Sequence, residues 1–369
     1  MGRVVLVTGV ARHLGGSLVR LLNDAPAVDR VIGIDVVPPR ADLGRAEFVR
    51  ADIRNPIIAK VIAAADVDTV VHMSVSSNPT GTGSRAAMKE LNVIGTMQLL
   101  AACQKAPSLR RLVVKSTTTV YGASPRDPAL FGENTEPQVP PRSGFAKDAT
   151  EVESYVRGFA RRRPDVDVTV LRFANFIGPG ITSPVVTLFS LAVIPTILGF
   201  DARLQFVHAE DGLEVLRRAA LEEHRGVFNV AGEGILLLSQ AARRAGRPTV
   251  PVPIPLLHGA GSALRRAGVA GLSQELLAYL VHGRAVDIGR LKEGFGFTPR
   301  FTTATAFDDF LGSLGRGPLT REHLGPMEER LVGAVRSAHD VLPRVRARVP
   351  GMRPRGTATD DTLPGGGCA

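Results

Sequence analysis

Short apolar runs rich in β-branched residues alternate with longer amphipathic stretches along the first half of the chain. Val4-Val5-Leu6-Val7 is the first such run, and its unbroken apolar character is that of a strand buried on both faces. Thr8-Gly9 breaks it, a glycine-punctuated loop follows to Gly15-Gly16, and residues 17–22 read as the opening of an amphipathic helix. Further strands are expected at 31–35, 46–50, 69–74, 112–116 and 168–173, with helices at 57–65, 86–105 and from Lys147 onward. Alternation at these lengths predicts an α/β protein built on a doubly wound parallel sheet.

After the strand at 168–173 the pattern changes. Residues 179–200 contain no charged side chain. Gly180, Pro184, Pro195 and Gly199 interrupt this run and no lysine or arginine brackets it closely on both sides, so a helix buried in a smaller lobe is expected rather than a membrane span. An apolar lining to a substrate pocket would also fit. Residues 250–255, with a proline at every second position, must be extended. Near the end, Leu331, Val335, Ala338, Leu342, Val345 and Val349 recur at helical spacing, with Arg336, Arg344, Arg346 and Arg348 among the other positions and Pro343 as a kink. Docking on the body or on a partner subunit is expected for that helix, with contact to an anionic membrane surface as the alternative. Residues 351–369 have the composition of a disordered tail.

The first strand, loop and helix carry the clearest chemistry. A tight glycine turn between a strand and a helix N-terminus aims free backbone N–H groups and the positive end of the helix dipole at one spot, which suits a pyrophosphate. Asp35, at the end of the next strand, is placed to accept hydrogen bonds from both ribose hydroxyls of an adenosine and to repel a 2′-phosphate. Asp52 follows the third strand, where it could hold an adenine amino group.

Composition narrows the classes. Of 369 residues, 44% are hydrophobic and 22% charged, which is ordinary for a globular protein. The formal charge of +10 comes mostly from scattered arginines with few aromatics among them, a pattern that fits a general arginine-for-lysine bias better than a nucleic-acid or anionic-lipid surface, so no nucleic-acid partner is expected. Cys103 and Cys368 give no disulfide framework, and no His, Cys, Asp or Glu cluster has metal-ligand spacing. A reducing, cytoplasmic setting is expected, since the chain enters a strand at once and leaves no room for a signal peptide.

The segments TGVARHLG at 8–15, Asp35, ADIRNP at 51–56, VVHMS at 70–74, LNVIGT at 91–96, STTTVYG at 116–122, LRFANFIGPG at 171–180 and FVHAED at 206–211, in this order, resemble the extended short-chain dehydrogenase/reductase family, the NAD-dependent epimerase/dehydratase group of sugar-nucleotide enzymes. The resemblance spans residues 3–312. It implies a Rossmann-type sheet domain over 1–175, a smaller, discontinuous substrate lobe interleaved with it over 176–317, then a helical extension at 318–350 and the tail. A returning strand at 227–232, a helix at 238–245 and last-lobe segments at 287–297 and 302–311 are implied as well. The implied cofactor is NAD, contacted by Thr8, Gly9, Arg12, Leu14, Gly15, Asp35, Asp52, Ile53, Met73, Ser74, Asn92 and Lys147. The implied partners are a small-molecule substrate and a second copy of the chain in a homodimer.

The family's site is a Ser/Thr, a Tyr and a Lys, the last two spaced YxxxK. The phenol exchanges the proton, the lysine lowers its pKa and holds the nicotinamide ribose, and the hydroxyl orients the substrate. By resemblance Thr117 takes the hydroxyl position, Lys147 the lysine, and Asn175 a place beside the substrate. Four residues before Lys147, however, stands Ser143, so the tyrosine is absent. Three readings follow: proton transfer through another group or a water held by Ser143, cofactor binding with little turnover, or a different register. The glycine loop departs too, with Arg12 and His13 where glycines would stand. Arg12 could swing aside, clamp a phosphate, or favour NADP against the preference set by Asp35. His13, His72 and His208 are expected to be packed rather than catalytic.

Overall fold

The computed structural model describes residues 2–75, 85–254 and 274–314; the expected C-terminal helix and tail lie outside them. Seven parallel strands form the central sheet: β1 (Arg3–Thr8), β2 (Val28–Asp35), β3 (Glu47–Arg50), β4 (Thr69–His72), β5 (Arg111–Thr117), β6 (Asp167–Phe173) and a seventh, Gly226–Val230. Their spatial order is Gly226–Val230, β6, β5, β4, β1, β2, β3. The order reverses between β1 and β4, where Val7 is paired with Val71, so the crevice at the carboxyl ends of these two strands is the topological switch point.

The alternation of side chains along each strand builds two cores. Val5, Val7, Val71, Val113 and Leu171 pack against Leu18, Val19 and Leu22 of α1 (His13–Asn23) and against Val215 and Leu216 of the helix Ala209–Leu221. Leu6, Ile32, Val70, Leu112 and Val114 point the other way, onto Ile58 and Ile62 of α2 (Ile57–Ala64), Leu99 of the helix Gly95–Gln104, and Val152 and Val156 of the helix Gly144–Arg162.

Two expected elements turn out differently. The single helix expected at 86–105 is divided: Arg85–Lys89 and Gly95–Gln104 are α-helical, and Glu90–Ile94 between them is a π-turn. There Thr96 donates its hydroxyl to the Asn92 carbonyl, and Asn92 is turned inward to Asp148. Gly95 lets this region close on the loop after β3, since a Cβ there would lie 2.8 Å from Ile53 Cδ1. The uncharged run at 179–200 is not one helix either. Ser183 caps a short helix, Pro184–Ser190, by accepting from Val186 N–H at 3.1 Å, and Ile194–Ile197 continues as a strand parallel to Thr249–Val252. Ile194, Ile197, Phe189, Leu204, Phe206, Phe307 and Phe310 form the core of a smaller lobe. Leu14 and Phe176 pack against both this core and the α1 side of the sheet. No helix among the described residues is long and apolar enough to cross a membrane.

Candidate functional site

At the switch point a cleft is lined by Gly9, Arg12, Ile34, Asp35, Val36, Ala51, Ile53, Ser74 and Leu91. Five of the residues expected at a cofactor thus meet there: Gly9, Arg12, Asp35, Ile53 and Ser74. Gly9 has φ +79°, and a Cβ on it would lie 3.2 Å from the Met73 carbonyl carbon and the Ser74 nitrogen. Gly15 serves packing: a Cβ there would sit 2.2 Å from the Gly9 carbonyl oxygen, so glycine is what lets the first turn of α1 close over the loop.

Asp35 organises the loop directly. One carboxylate oxygen accepts from the Ala11 N–H at 3.0 Å and the other from the Val36 N–H at 2.8 Å. The Val37 N–H also reaches the second oxygen, at 3.4 Å, so of the roughly four acceptor positions of a carboxylate about one stays open for a hydroxyl. Arg12 is the N-cap of α1 and faces Asp35, whose negative charge offsets part of the fall in guanidinium pKa that burial causes. Thr8 is fully buried: its hydroxyl accepts from the Met73 N–H at 3.1 Å and bonds His72 Nδ1 at 2.9 Å. His72 Nε2 meets the Thr96 hydroxyl at 2.9 Å, and burial followed by the charge of Lys115 pushes the imidazole pKa down to about 3. His72 is therefore a neutral clasp between β1, β4 and the helix beside them.

Other expected contacts lie elsewhere. Asp52 turns its carboxylate to Arg54 at 2.6 Å, which holds it below the usual carboxylate range, and Arg54 also pairs with Glu90 at 3.1 Å. Asn92 is buried with its amide 3.4 Å from Asp148, which itself receives a two-pronged Arg85 pair at 2.7 and 2.8 Å. Leu14 serves as an inter-lobe contact, and Met73 is buried in the core on the α1 side.

Around the reaction position, Thr117 ends β5, is half-buried, and accepts from the Thr119 N–H at 3.2 Å. Ser143 is exposed at the N-cap of the helix Gly144–Arg162 and makes no capping hydrogen bond with its side chain. Lys147, one turn on, is half-buried with its ammonium 3.7 Å from Glu151. Neither nearby ring offers a free phenol to this position. Phe145 is packed in the core, and Tyr121 is buried, donating to Asn229 Oδ1 at 2.7 Å and accepting from Arg172 at 2.9 Å. Arg172 also grips Glu153 at 2.6 Å, and Glu153 accepts from Ser116 at 2.6 Å. This network buttresses the end of β5 from behind. Asn175 opens a short strand, Asn175–Ile177, paired with Phe206–His208 at the small lobe. His208 caps the helix Ala209–Leu221 and stacks on Phe301 at 3.8 Å, and the exposed His13 lies against the Gly180 loop.

One charged residue beside the cleft, next to its lining residue Ser74, was missed in the sequence. Lys115 lies two positions before Thr117 on the same face of β5, half-buried, and donates to the Val75 carbonyl just past β4 at 3.1 Å. The signal was available: a lysine inside the run Leu112-Val113-Val114-Lys115-Ser116 interrupts an otherwise buried strand. Among the described residues no group of His, Cys, Asp and Glu could hold a metal ion.

Comparison with known proteins agrees with this geometry. The model of the NAD dependent epimerase/dehydratase family matches residues 5–231. An uncharacterized protein of Mycobacterium tuberculosis (strain ATCC 25618 / H37Rv) is 49% identical over 341 residues, covering 90% of this chain and 89% of its own length. The fold is shared with the dTDP-glucose 4,6-dehydratase of Bacillus anthracis str. Ames in complex with NAD, at a TM-score of 0.64 and 18% identity over 85% of this chain and 96% of that one. It is shared equally with the UDP-glucose 4-epimerase of Thermotoga maritima with UDP-glucose, at 0.64 and 19% over 84% and 98%.

Proposed function

The chain belongs to the NAD-dependent epimerase/dehydratase family, and from that premise we propose that it binds NAD(H) at the switch-point cleft and acts as an oxidoreductase or epimerase at a secondary alcohol. The observation that supports the cofactor is the meeting of Gly9 and Asp35 in one cleft, a glycine at positive φ packed tightly on the Met73–Ser74 backbone beside a carboxylate with an acceptor position to spare. Gly9 and the first turn of α1 would receive the pyrophosphate, Asp35 the adenosine ribose, and Lys147 the nicotinamide ribose. Bound NAD supplies a hydride acceptor; the chain's part is to orient and to manage the proton. Thr117 orients the alcohol, Asn175 borders the substrate, and Ser143 holds a water as the proton route. The substrate is a sugar-nucleotide-like or more apolar alcohol, in keeping with the uncharged run at 179–200.

Calorimetric titration with NAD⁺, NADH, NADP⁺ and NADPH, beside Asp35→Ala, tests this reading. Tight NAD(H) binding weakened by the substitution is expected; a preference for NADP(H), or no binding, would overturn it. A second reading, a dinucleotide-binding protein without turnover, is favoured by one observation: Ser143 is exposed and no phenol is free near it, since Tyr121 is spent on Asn229 and Arg172. Ser143→Tyr separates the two. Turnover present in the wild type and lost in Lys147→Ala refutes the binding-only reading. Turnover that appears only in Ser143→Tyr supports it.

A further inference from the structure

Lys115 has no structural task that needs a cation. It sits in a strand whose neighbours Val113 and Val114 are fully buried. Its single described partner is the Val75 carbonyl, and among the described residues no carboxylate lies within ion-pair distance. A methionine would fill the same space at lower desolvation cost. The groups that face it add to the penalty: Arg12 from the β1–α1 loop repels it, and His72 on β4 is neutral and offers no charge. On the opposite side of β5 the charges of Arg172 and Glu153 are spent on each other. An ammonium kept under these conditions, held at the Val75 carbonyl one residue past the cleft-lining Ser74, is placed for an anion that arrives from outside.

We propose that Lys115 is an anion-binding residue of the switch-point cleft, which with Arg12 holds the pyrophosphate of the dinucleotide from the side opposite the glycine loop. The inference rests on the cofactor reading above and adds to it a residue outside the glycine-loop pattern. It also accounts for Arg12, which stands where a glycine would bring backbone N–H groups closer to the phosphates. Two side-chain cations replace part of what that backbone would have supplied.

A consequence is that binding is coupled to a proton. Burial, then the charge of Arg12, pushes the Lys115 pKa down to about 8. A bound pyrophosphate restores the charged form, so the protein takes up protons on binding near pH 8 and its affinity falls as pH rises above that value. The neutral His72 and the permanently charged Arg12 do not titrate in this window.

The test is calorimetric titration of the full chain with NAD⁺ and with ADP-ribose, which carries the pyrophosphate but lacks nicotinamide. Titrations run at pH 7 and 9, and at pH 8 in two buffers of different ionisation enthalpy, for the wild type, Lys115→Met and Lys115→Arg. Loss of one charge-assisted contact predicts about 10- to 100-fold weaker binding of both ligands by Lys115→Met, with proton uptake abolished. Lys115→Arg keeps more of the affinity and loses the pH dependence; because it retains the charge, it separates loss of the contact from loss of the fold. Equal affinity and equal proton uptake in wild type and Lys115→Met overturn the proposal while leaving the cofactor reading intact. A loss confined to NAD⁺ and absent with ADP-ribose also overturns it, by placing Lys115 at the nicotinamide. No binding of either ligand to the wild type overturns the cofactor reading itself.

Discussion

His72 offers a stability measurement that reports on the architecture of the cleft. Its two ring nitrogens are each 2.9 Å from a threonine hydroxyl, Thr8 on β1 and Thr96 on the neighbouring helix, and burial, followed by the charge of Lys115, holds the imidazole neutral with a pKa of about 3. In the unfolded chain the ring titrates near 6.5. The folded pKa is the lower one, so between these values the unfolded state binds more protons, and stability is present above 6.5 and lost as pH falls. With about 1.4 kcal/mol per pKa unit, lowering pH from 7 to 5 removes about 2 kcal/mol through this one group, against a ceiling of about 5 kcal/mol once the folded pKa of about 3 is reached. Carboxylates titrate in the lower part of the same range, so the informative quantity is a difference. Urea unfolding at pH 7 and pH 5 is measured for the wild type and for His72→Gln, which can still donate to one threonine and accept from the other. The wild type should lose about 2 kcal/mol more than the variant over this interval. Equal losses would mean that the ring is charged or solvated in the folded state, and the clasp described here would be wrong.

Two further outcomes follow from packing and charge. Gly15→Ala places a methyl 2.2 Å from the Gly9 carbonyl oxygen, so it should abolish dinucleotide binding in titration and lower the melting temperature more than Gly16→Ala, whose methyl would meet Val10 oxygen at 3.2 Å. Equal effects of the two would refute the close approach. Glu153→Gln leaves Arg172 buried without its countercharge and should cost about 3–5 kcal/mol in urea unfolding, a loss below about 1 kcal/mol counting against the buried pair.

The sheet was readable because its strands are buried on both faces: runs such as Val4 to Val7 and Leu112 to Val114 admit little else between turn signals. Gly9 and Asp35 were readable for a similar local reason, since a glycine turn and an acidic strand end are adjacent in sequence to the elements that aim them. What escaped depended on partners far along the chain. Asp52 was expected at an adenine; its carboxylate is paired with Arg54, which Glu90, 36 positions further on, also engages. The π-turn at Glu90–Ile94 follows from Asn92 reaching toward Asp148, 56 positions away. Lys115 looked like a break in a strand until the fold set its ammonium against the Val75 carbonyl, 40 positions away and next to the cleft. The run at 179–200 read as one helix because its apolar character is continuous; the division came from Ser183 and Pro184 starting a helix and from Ile194 finding a strand partner at Thr249.

Leu14 and Phe176 join the core beneath α1 to the core of the small lobe, and Leu14 belongs to the same helical turn that begins at Arg12. The two lobes therefore share a seam, and that seam runs through the turn that carries the glycine loop into α1. A ligand that drew the small lobe inward would, through this seam, tighten the grip on the dinucleotide by the same factor that the dinucleotide tightens the grip on it, since such coupling is reciprocal.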